Sequence, residues 1–276
     1  MTDVVVLVGA GSIGRAVARR VSSGRSILVA DLRPDAAESA AEALRNDGFV
    51  VETAQADVSS AESVAALADR AAAMGDVTHV IHAAGVSPVQ ASTRAVIDVD
   101  LVGTALVLEE FGRVIAPGGS GIVISSQAGH MGDPLPTDQA AALAQTPARE
   151  LASLEFLSAI PNSSVAYIVA KRANILRAQA AAPAWGDRGA RVNSISPGII
   201  MTPLARDELD GPAAAGYRAM IETSAAGRVG TPDEIGDVAA FMMATPFLTG
   251  TDLLVDGGVV AAMAAGRVAL GGDYAE

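Results

Sequence analysis

The sequence has no cysteine in 276 residues, which excludes disulfides and all thiolate chemistry. Aromatic residues are scarce at 3% although half of the chain is hydrophobic. Its core must therefore be built mainly from Ala and Val, which suits helices packed closely on a parallel sheet. No apolar run approaches an uninterrupted membrane-spanning length, and residues 1–8 lack a signal-peptide pattern, so a cytoplasmic protein is expected. Basic residues are outnumbered, and the net charge of −12 argues against nucleic acid or an anionic membrane as a partner. The three histidines, His79, His82 and His130, form no metal-ligand spacing with carboxylates, and no metal is expected. Neither a Pro/Gly/Ser-rich linker nor a charge block or repeat divides the chain, so one domain over 1–276 is expected.

What is present begins at the amino terminus. Asp3 to Val8 is a short β-branched run suited to a buried parallel strand, and Gly9-Ala10-Gly11-Ser12-Ile13-Gly14 follows at once. A helical pattern starts at Arg15. Strand, Gly-x-Gly-x-x-Gly and helix in this order are the context in which the motif binds a dinucleotide. Gly9 permits a tight turn, Gly11 lets backbone approach a pyrophosphate, and Gly14 lets helix and strand pack closely. Ser12 and Ile13, between the glycines, belong to the same candidate set, and the helix start offers free N–H groups to phosphate. The next apolar run, Ser26 to Ala30, ends in Asp31. A carboxylate there accepts hydrogen bonds from the adenosine ribose hydroxyls and repels a 2′-phosphate, so NAD(H) is expected in preference to NADP(H). Arg15 and Arg33 nearby keep NADP(H) open.

Further apolar runs recur at 50–54, 77–82, 121–125, 190–195 and 252–255, with Ala-rich helical stretches such as Asp35 to Asn46 and Ala61 to Ala73 between the earlier ones. This alternation predicts an α/β fold: a Rossmann-type, doubly wound, seven-stranded parallel sheet with helices on both faces. Residues at strand carboxyl ends then share one crevice. Within a helix-compatible segment, Tyr167 and Lys171 are spaced to lie on one helix face. An ammonium near a phenol favours the phenolate, lowering the tyrosine towards the range of a working proton donor and acceptor. Taken alone, the pair equally describes a packed ring beside a solvated amine.

Read in order, these segments resemble the short-chain dehydrogenase/reductase family along almost the whole chain. His82-Ala83-Ala84-Gly85 resembles the family's Asn-Asn-Ala-Gly, with His where Asn is usual, and Ala56-Asp57-Val58 resembles the Asp-Val that contacts adenine. Ser125-Ser126 precedes Tyr-x-x-x-Lys, and the second serine of such a pair is the catalytic one, here Ser126. Pro197, Gly198, Ile200 and Thr202 match the segment lining the nicotinamide, and Asp256-Gly257-Gly258 matches the closing turn. The resemblance implies hydride transfer between a nicotinamide and a carbonyl. Tyr167 would be the acid/base, Lys171 would lower its pKa and bind the nicotinamide ribose, and Ser126 would hold the substrate oxygen. Asp57, Val58, Ala83, Ala84 and Gly85 would join the glycines and Asp31 around the cofactor.

Two departures stand out. The glycines are one residue closer than the family's usual Gly-x-x-x-Gly-x-Gly, and Asp100 occupies the place of its active-site asparagine. Asp100 admits two readings: a member of the proton relay, or a helix residue of which only the backbone matters. The interval from Ser126 to Tyr167 is much longer than usual. Its extra segment, about 131–163, is Ala/Leu-rich and predicts one or two amphipathic helices whose apolar face needs a partner surface. This makes the chain similar to the bacterial 3α-hydroxysteroid dehydrogenase/carbonyl reductase type, which implies a homodimer or homotetramer. The substrate segment is expected at about 198–227, where Ile199, Ile200, Met201, Leu204, Tyr217 and Met220 point to a hydrophobic, steroid-like or alicyclic ketone or alcohol. Ordinary helix packing accounts for each of these singly. A dinucleotide-binding sensor without turnover and a 3-oxoacyl-thioester reductase are the competing classes.

Overall fold

The computed structural model describes residues 2–211 and 214–267. Seven strands, β1 (Asp3–Val8), β2 (Ser26–Asp31), β3 (Val50–Gln55), β4 (Asp76–His82), β5 (Ile115–Ile124), β6 (Arg191–Pro197) and β7 (Asp252–Val255), form one parallel sheet in the order β3-β2-β1-β4-β5-β6-β7. Helices α1 (Ser12–Val21), α2 (Pro34–Asn46) and α3 (Ala61–Met74) cross between the first strands. A continuous helical run follows: α4 (Thr93–Val96), a π-helical stretch Ile97–Gly103, and α5 (Thr104–Val114). The remainder comprises α6 (Thr137–Gln145), α7 (Ser163–Asp187), α8 (Pro203–Asp210), α9 (Ala214–Thr223), α10 (Pro232–Ala244) and α11 (Val259–Ala264). Among the described residues, no helix is long and apolar enough to cross a membrane.

β1 shows why the sheet is buried on both sides. Val4, Val6 and Val8 point into a core shared with α3, α5 and α7, while Val5 and Leu7 point into a second core with α1, α2 and α10. Alternating side chains of a parallel strand must both find apolar cover, and the helical crossovers supply it. Strand order reverses between β1 and β4, which opens a crevice at the carboxyl ends of those strands.

α7 is positioned at both ends. Asn162 caps it by accepting a hydrogen bond from Val165 N–H at 2.9 Å, so the helix begins one turn before Tyr167. Near its far end the chain's one tryptophan, Trp185, is buried and donates from Nε1 to the Leu108 carbonyl at 3.1 Å. A Cβ at Gly112 or Gly121 would come within 2.8 and 2.7 Å of the Trp185 ring, so these glycines leave the space it fills. With so few aromatics, this contact locks α7 against α5 and β5.

The segment at 131–163 differs from the expected one or two amphipathic helices. It contains α6 followed by two short 3₁₀ turns, Ala148–Ser153 and Glu155–Ala159. Pro147 ends the helical stretch, because the residue before a proline disfavours the α region. Leu143, Ala148, Leu151 and Leu157 are buried in the same core as α5 and α7. Arg177 on α7 donates to the carbonyls of Leu143 and Thr146 at 2.9 and 2.8 Å and pairs with Glu109 at 3.0 Å. The apolar face that the sequence leaves without a partner is thus covered by its own chain.

Candidate active site

The glycine motif forms the turn between β1 and α1. Gly9 has φ +95°, and a Cβ there would lie 2.3 Å from the Ala84 nitrogen, so the turn after β1 touches the segment after β4. At Gly11 a Cβ would meet nothing within 4 Å, leaving open space for a ligand's backbone approach. Gly11 caps α1 without a side-chain hydrogen bond, and the first turn holds no acidic residue, so its N–H groups face that space uncompensated. Asp31 ends β2, where its Oδ2 accepts from Ala10 N–H at 2.9 Å and its Oδ1 from Arg33 N–H at 3.0 Å. The carboxylate is thereby fixed beside the turn with lone pairs remaining. The chemistry of these residues fits a dinucleotide. Asp57 and Val58 sit apart from the cavity. The Asp57 carboxylate accepts from the N–H and hydroxyl of Ser59, and Val58 is buried against Gly103.

One cavity gathers the other candidates. Ser126, Tyr167, Lys171, Ala83, Ala84 and Gly85 line it, as do Ile13, Pro197, Gly198, Ile200 and Thr202. The Lys171 ammonium lies 5.2 Å from the centre of the Tyr167 ring and 2.8 Å from Asp100 Oδ1. All of Ser87, Ser125 and Ser126 line the cavity, but Ser125 donates its hydroxyl to the Lys171 carbonyl at 2.7 Å, so within the adjacent pair Ser126 is the one whose hydroxyl hydrogen is not given to the backbone. Ile199, Leu204, Tyr217 and Met220 add to the wall; Met201 does not. Positions 212–213 of the expected substrate segment lie outside the described residues.

Asp100 is fully buried at the inner face of the π-helical stretch, where the widened turn aims it at the site. Its Oδ2 accepts from Val86 N–H at 3.2 Å, and a Cβ at Gly85 would lie 2.6 Å from Oδ1. Its side chain, and not only its backbone, therefore belongs to the site. Burial pushes the Asp100 carboxyl above its ordinary value while Lys171 pulls against that rise. For Lys171, burial opposes the charge, yet Asp100 and Tyr167 together raise its pKa. Tyr167 departs from the expected lowering. Burial raises the phenol, Lys171 lowers it, Asp100 raises it, Ser126 lowers it and Glu208 raises it, and the net direction is up. The ammonium does act as expected, but burial of the phenol, with Asp100 and Glu208 adding to it, outweighs it.

His82 replaces the family's usual asparagine outside the cavity. Thr104 spends its hydroxyl hydrogen on the Asp100 carbonyl at 2.8 Å, so the 3.0 Å contact to His82 requires the imidazole to donate from Nε2. Burial, with Lys171 nearby, lowers His82 to about 3, so the folded protein keeps it neutral. The unfolded chain binds that proton below about 6.5. Stability is therefore lost as pH falls from there towards the folded value, by about 2–3 kcal/mol at pH 4.5. His82→Asn is expected to flatten the fall in denaturant midpoint between pH 6.5 and 4.5; an equally steep fall in both proteins would show the imidazole charged in place. Among the described residues, no cluster of His, Asp and Glu could hold a metal.

Comparison with known proteins agrees with this geometry. The pattern described as short chain dehydrogenase matches residues 3–142, and that described as Enoyl-(Acyl carrier protein) reductase matches 144–260. The chain is 38% identical over 261 residues to the short-chain dehydrogenase/reductase bsc3 of Alternaria brassicicola, covering 93% of this chain and 95% of the relative. This chain is a short-chain dehydrogenase/reductase. It is also 31% identical over 278 residues to the cis-4-hydroxycyclohexanecarboxylate dehydrogenase of Sinomonas cyclohexanicum, covering 94% of this chain and 96% of that one. Its fold matches a short-chain dehydrogenase/reductase from Serratia marcescens with a TM-score of 0.72 at 22% identity, over 94% and 98% of the two chains. As a member of this family it is an oxidoreductase that acts on CH–OH groups with a nicotinamide dinucleotide.

Several lining residues carry no sequence signal of a site, Ser87 and Glu208 among them. One glutamate in an acidic chain carries no signal of its own. Lys171 carries a signal of its own, being the only lysine among 19 basic residues.

Proposed function

We propose that this short-chain dehydrogenase/reductase interconverts a secondary alcohol and a ketone on a hydrophobic, alicyclic or steroid-like small molecule, with NAD(H) as the hydride carrier. The observation that carries this reading is the convergence of Tyr167, Lys171 and Ser126 on one cavity whose remaining wall is largely aliphatic. When bound, the nicotinamide accepts or donates the hydride. Tyr167 Oη takes the alcohol proton as the carbonyl forms and returns it in reduction. Lys171 favours the phenolate by charge and reaches the nicotinamide ribose, and Ser126 holds the reacting oxygen in place. The turn from Gly9 to Gly14 cradles the pyrophosphate, Asp31 receives the adenosine ribose, and Pro197 to Thr202 lie beside the nicotinamide. A cytoplasmic location, with its nucleotide pool, accords with this chemistry. Since burial, Asp100 and Glu208 raise the phenol, oxidation should run faster at alkaline pH and reduction should tolerate neutral pH.

The alicyclic preference draws on the aliphatic side chains of Ile199, Ile200, Leu204 and Met220, and on similarity to a relative named for a cyclohexane substrate. The similarity to the 3α-hydroxysteroid dehydrogenase/carbonyl reductase type keeps steroids in the tested set. Purified protein is to be assayed with NAD⁺ and NADP⁺ against cyclohexanol, a 3-hydroxysteroid and a 3-hydroxyacyl thioester. Turnover of cyclohexanol or the steroid with NAD⁺ is expected. Thioester turnover alone would favour the acyl-thioester class, for which the cavity offers no arginine. The neutralised Lys171 is what favours a sensor without turnover, and saturable NADH binding with no oxidation of any alcohol would decide for that reading.

For the nucleotide, Asp31→Ala is expected to weaken NADH binding roughly tenfold to a hundredfold, the worth of a hydrogen bond to a charged group. It should also narrow the advantage over NADPH. Unchanged dissociation constants for both would remove Asp31 from the site. We also propose a homodimer or homotetramer: Phe241 and Phe247 are exposed, and Leu253 is exposed on the edge strand β7, surfaces that a second copy would cover. Light scattering tests this directly.

A further inference from the structure

The cavity has a second polar pole that the reaction above leaves unused. Ser87, just after β4, and Glu208, on α8, stand 121 positions apart yet meet in its wall, where the Ser87 hydroxyl donates to Glu208 Oε1 at 2.5 Å. Ser87 is 4% exposed, and its oxygen accepts from Val89 N–H at 3.2 Å, so the hydroxyl is fixed with its hydrogen turned to the carboxylate. Glu208 Oε2 accepts no hydrogen bond from any described residue. The same carboxylate lies close enough to Tyr167 for its charge to reach the phenol. Among the described lining residues the one cation is Lys171, already paired with Asp100, and none is an arginine or a histidine.

The charge balance of the described lining residues is therefore negative, and Glu208 presents an acceptor to a bound substrate. A substrate hydroxyl beside Glu208 would gain a charge-assisted hydrogen bond. A substrate carboxylate would be pressed against Glu208 with no guanidinium to receive it. We propose that Glu208 is a specificity-determining residue that accepts a hydrogen bond from a second hydroxyl of the substrate. The enzyme thus prefers neutral diols and hydroxy ketones to simple alcohols and rejects substrates bearing a carboxylate. This rests on the alcohol–ketone reading above and names its substrate class. Ser87 is the positioning residue that holds the carboxylate in the wall.

The test measures kcat/KM for NAD⁺ reduction by the unaltered protein, Glu208→Leu and Glu208→Gln. Substrates are cyclohexanol, the cyclohexane-1,2-, 1,3- and 1,4-diols, and 4-hydroxycyclohexanecarboxylate. Each value is divided by that for cyclohexanol in the same protein, so a general loss from a disturbed α8, or from the changed field at Tyr167, cancels. In the unaltered protein the best diol is expected at least about tenfold above cyclohexanol and the carboxylate at least about tenfold below it. Glu208→Leu should bring both ratios to within about threefold of one. Glu208→Gln should keep part of the diol advantage, because an amide oxygen still accepts, and lose most of the discrimination against carboxylate. A diol ratio near one in the unaltered protein, or one that Glu208→Leu leaves unchanged, overturns the assignment while alcohol oxidation stands. No oxidation of any substrate overturns the alcohol–ketone reading itself, and this inference with it.

Discussion

Tyr167→Phe is expected to lower kcat for alcohol oxidation by about 10³-fold or more while the NADH dissociation constant changes by less than about threefold. The substitution removes one oxygen and leaves the ring, its packing on the core cluster and the 5.2 Å contact with the Lys171 ammonium in place. Proton transfer by a positioned side chain is worth roughly 10²–10⁴-fold, and the other phenol that lines the cavity, Tyr217, comes from α9 and not from the helix that carries Lys171. His82 cannot take over. It lies outside the cavity wall, neutral, with Nε2 donating to Thr104. Nucleotide affinity should survive because the glycine turn and Asp31 are built from β1, α1 and β2, and α7 contributes nothing to them. The decisive measurement pairs single-turnover kinetics with a fluorescence titration of NADH. Loss of both together would mean that the phenol props the site open; retention of turnover would assign the proton to another group.

Much of this architecture could be read from local pattern, and the exceptions share a physical cause. β1 and β7 begin and end where their apolar runs do, because the run and the turn chemistry after it coincide. β5 starts at Ile115, six positions before the predicted run, since Ile115 pairs with Val77 ahead of a register shift that Pro117 and Gly118 occupy. A lone isoleucine before a proline does not look like a strand, and only the neighbouring β4 makes it one. In the 131–163 segment one of the expected one or two helices forms, as α6, while beyond it Pro147 and packing on Arg177 impose short 3₁₀ turns where Ala and Leu by themselves favour helix. At the site, glycine spacing and the Tyr–Lys interval are visible because they are local. The pairings of Asp100 with Lys171, 71 positions apart, and of Ser87 with Glu208, 121 apart, exist only once the strand order is known. The raised phenol follows first from its burial and then from Asp100, neither of which is visible where the sequence shows only Tyr167 and Lys171 on one helix.

Asp100→Asn should move the acid limb of the kcat/KM profile for alcohol oxidation to lower pH. Oxidation needs the phenolate, and the charges facing Tyr167 come from three elements: Lys171 on its own helix, Asp100 on the π-helical stretch and Glu208 on α8. Two of the three are negative and hold the proton on. Removing the Asp100 charge leaves Lys171 opposed by burial and Glu208, and the phenol then ionises more readily. Because phenol and ammonium are neighbours, the limb reports the pair and not one residue. Asparagine keeps an oxygen for the 2.8 Å contact from Lys171 but gives up an acceptor for Val86 N–H, so a stability loss of about 1–3 kcal/mol is expected. Asp100→Ala leaves the ammonium buried and unpaired, at a cost of about 3–5 kcal/mol. The position of the limb separates charge from scaffolding: a role confined to holding Val86 and the π-helical turn lowers the plateau and leaves the limb where it was. An unmoved limb in Asp100→Asn, at full occupancy with NAD⁺, would mean that the carboxylate's charge is spent wholly on Lys171 and never reaches the phenol.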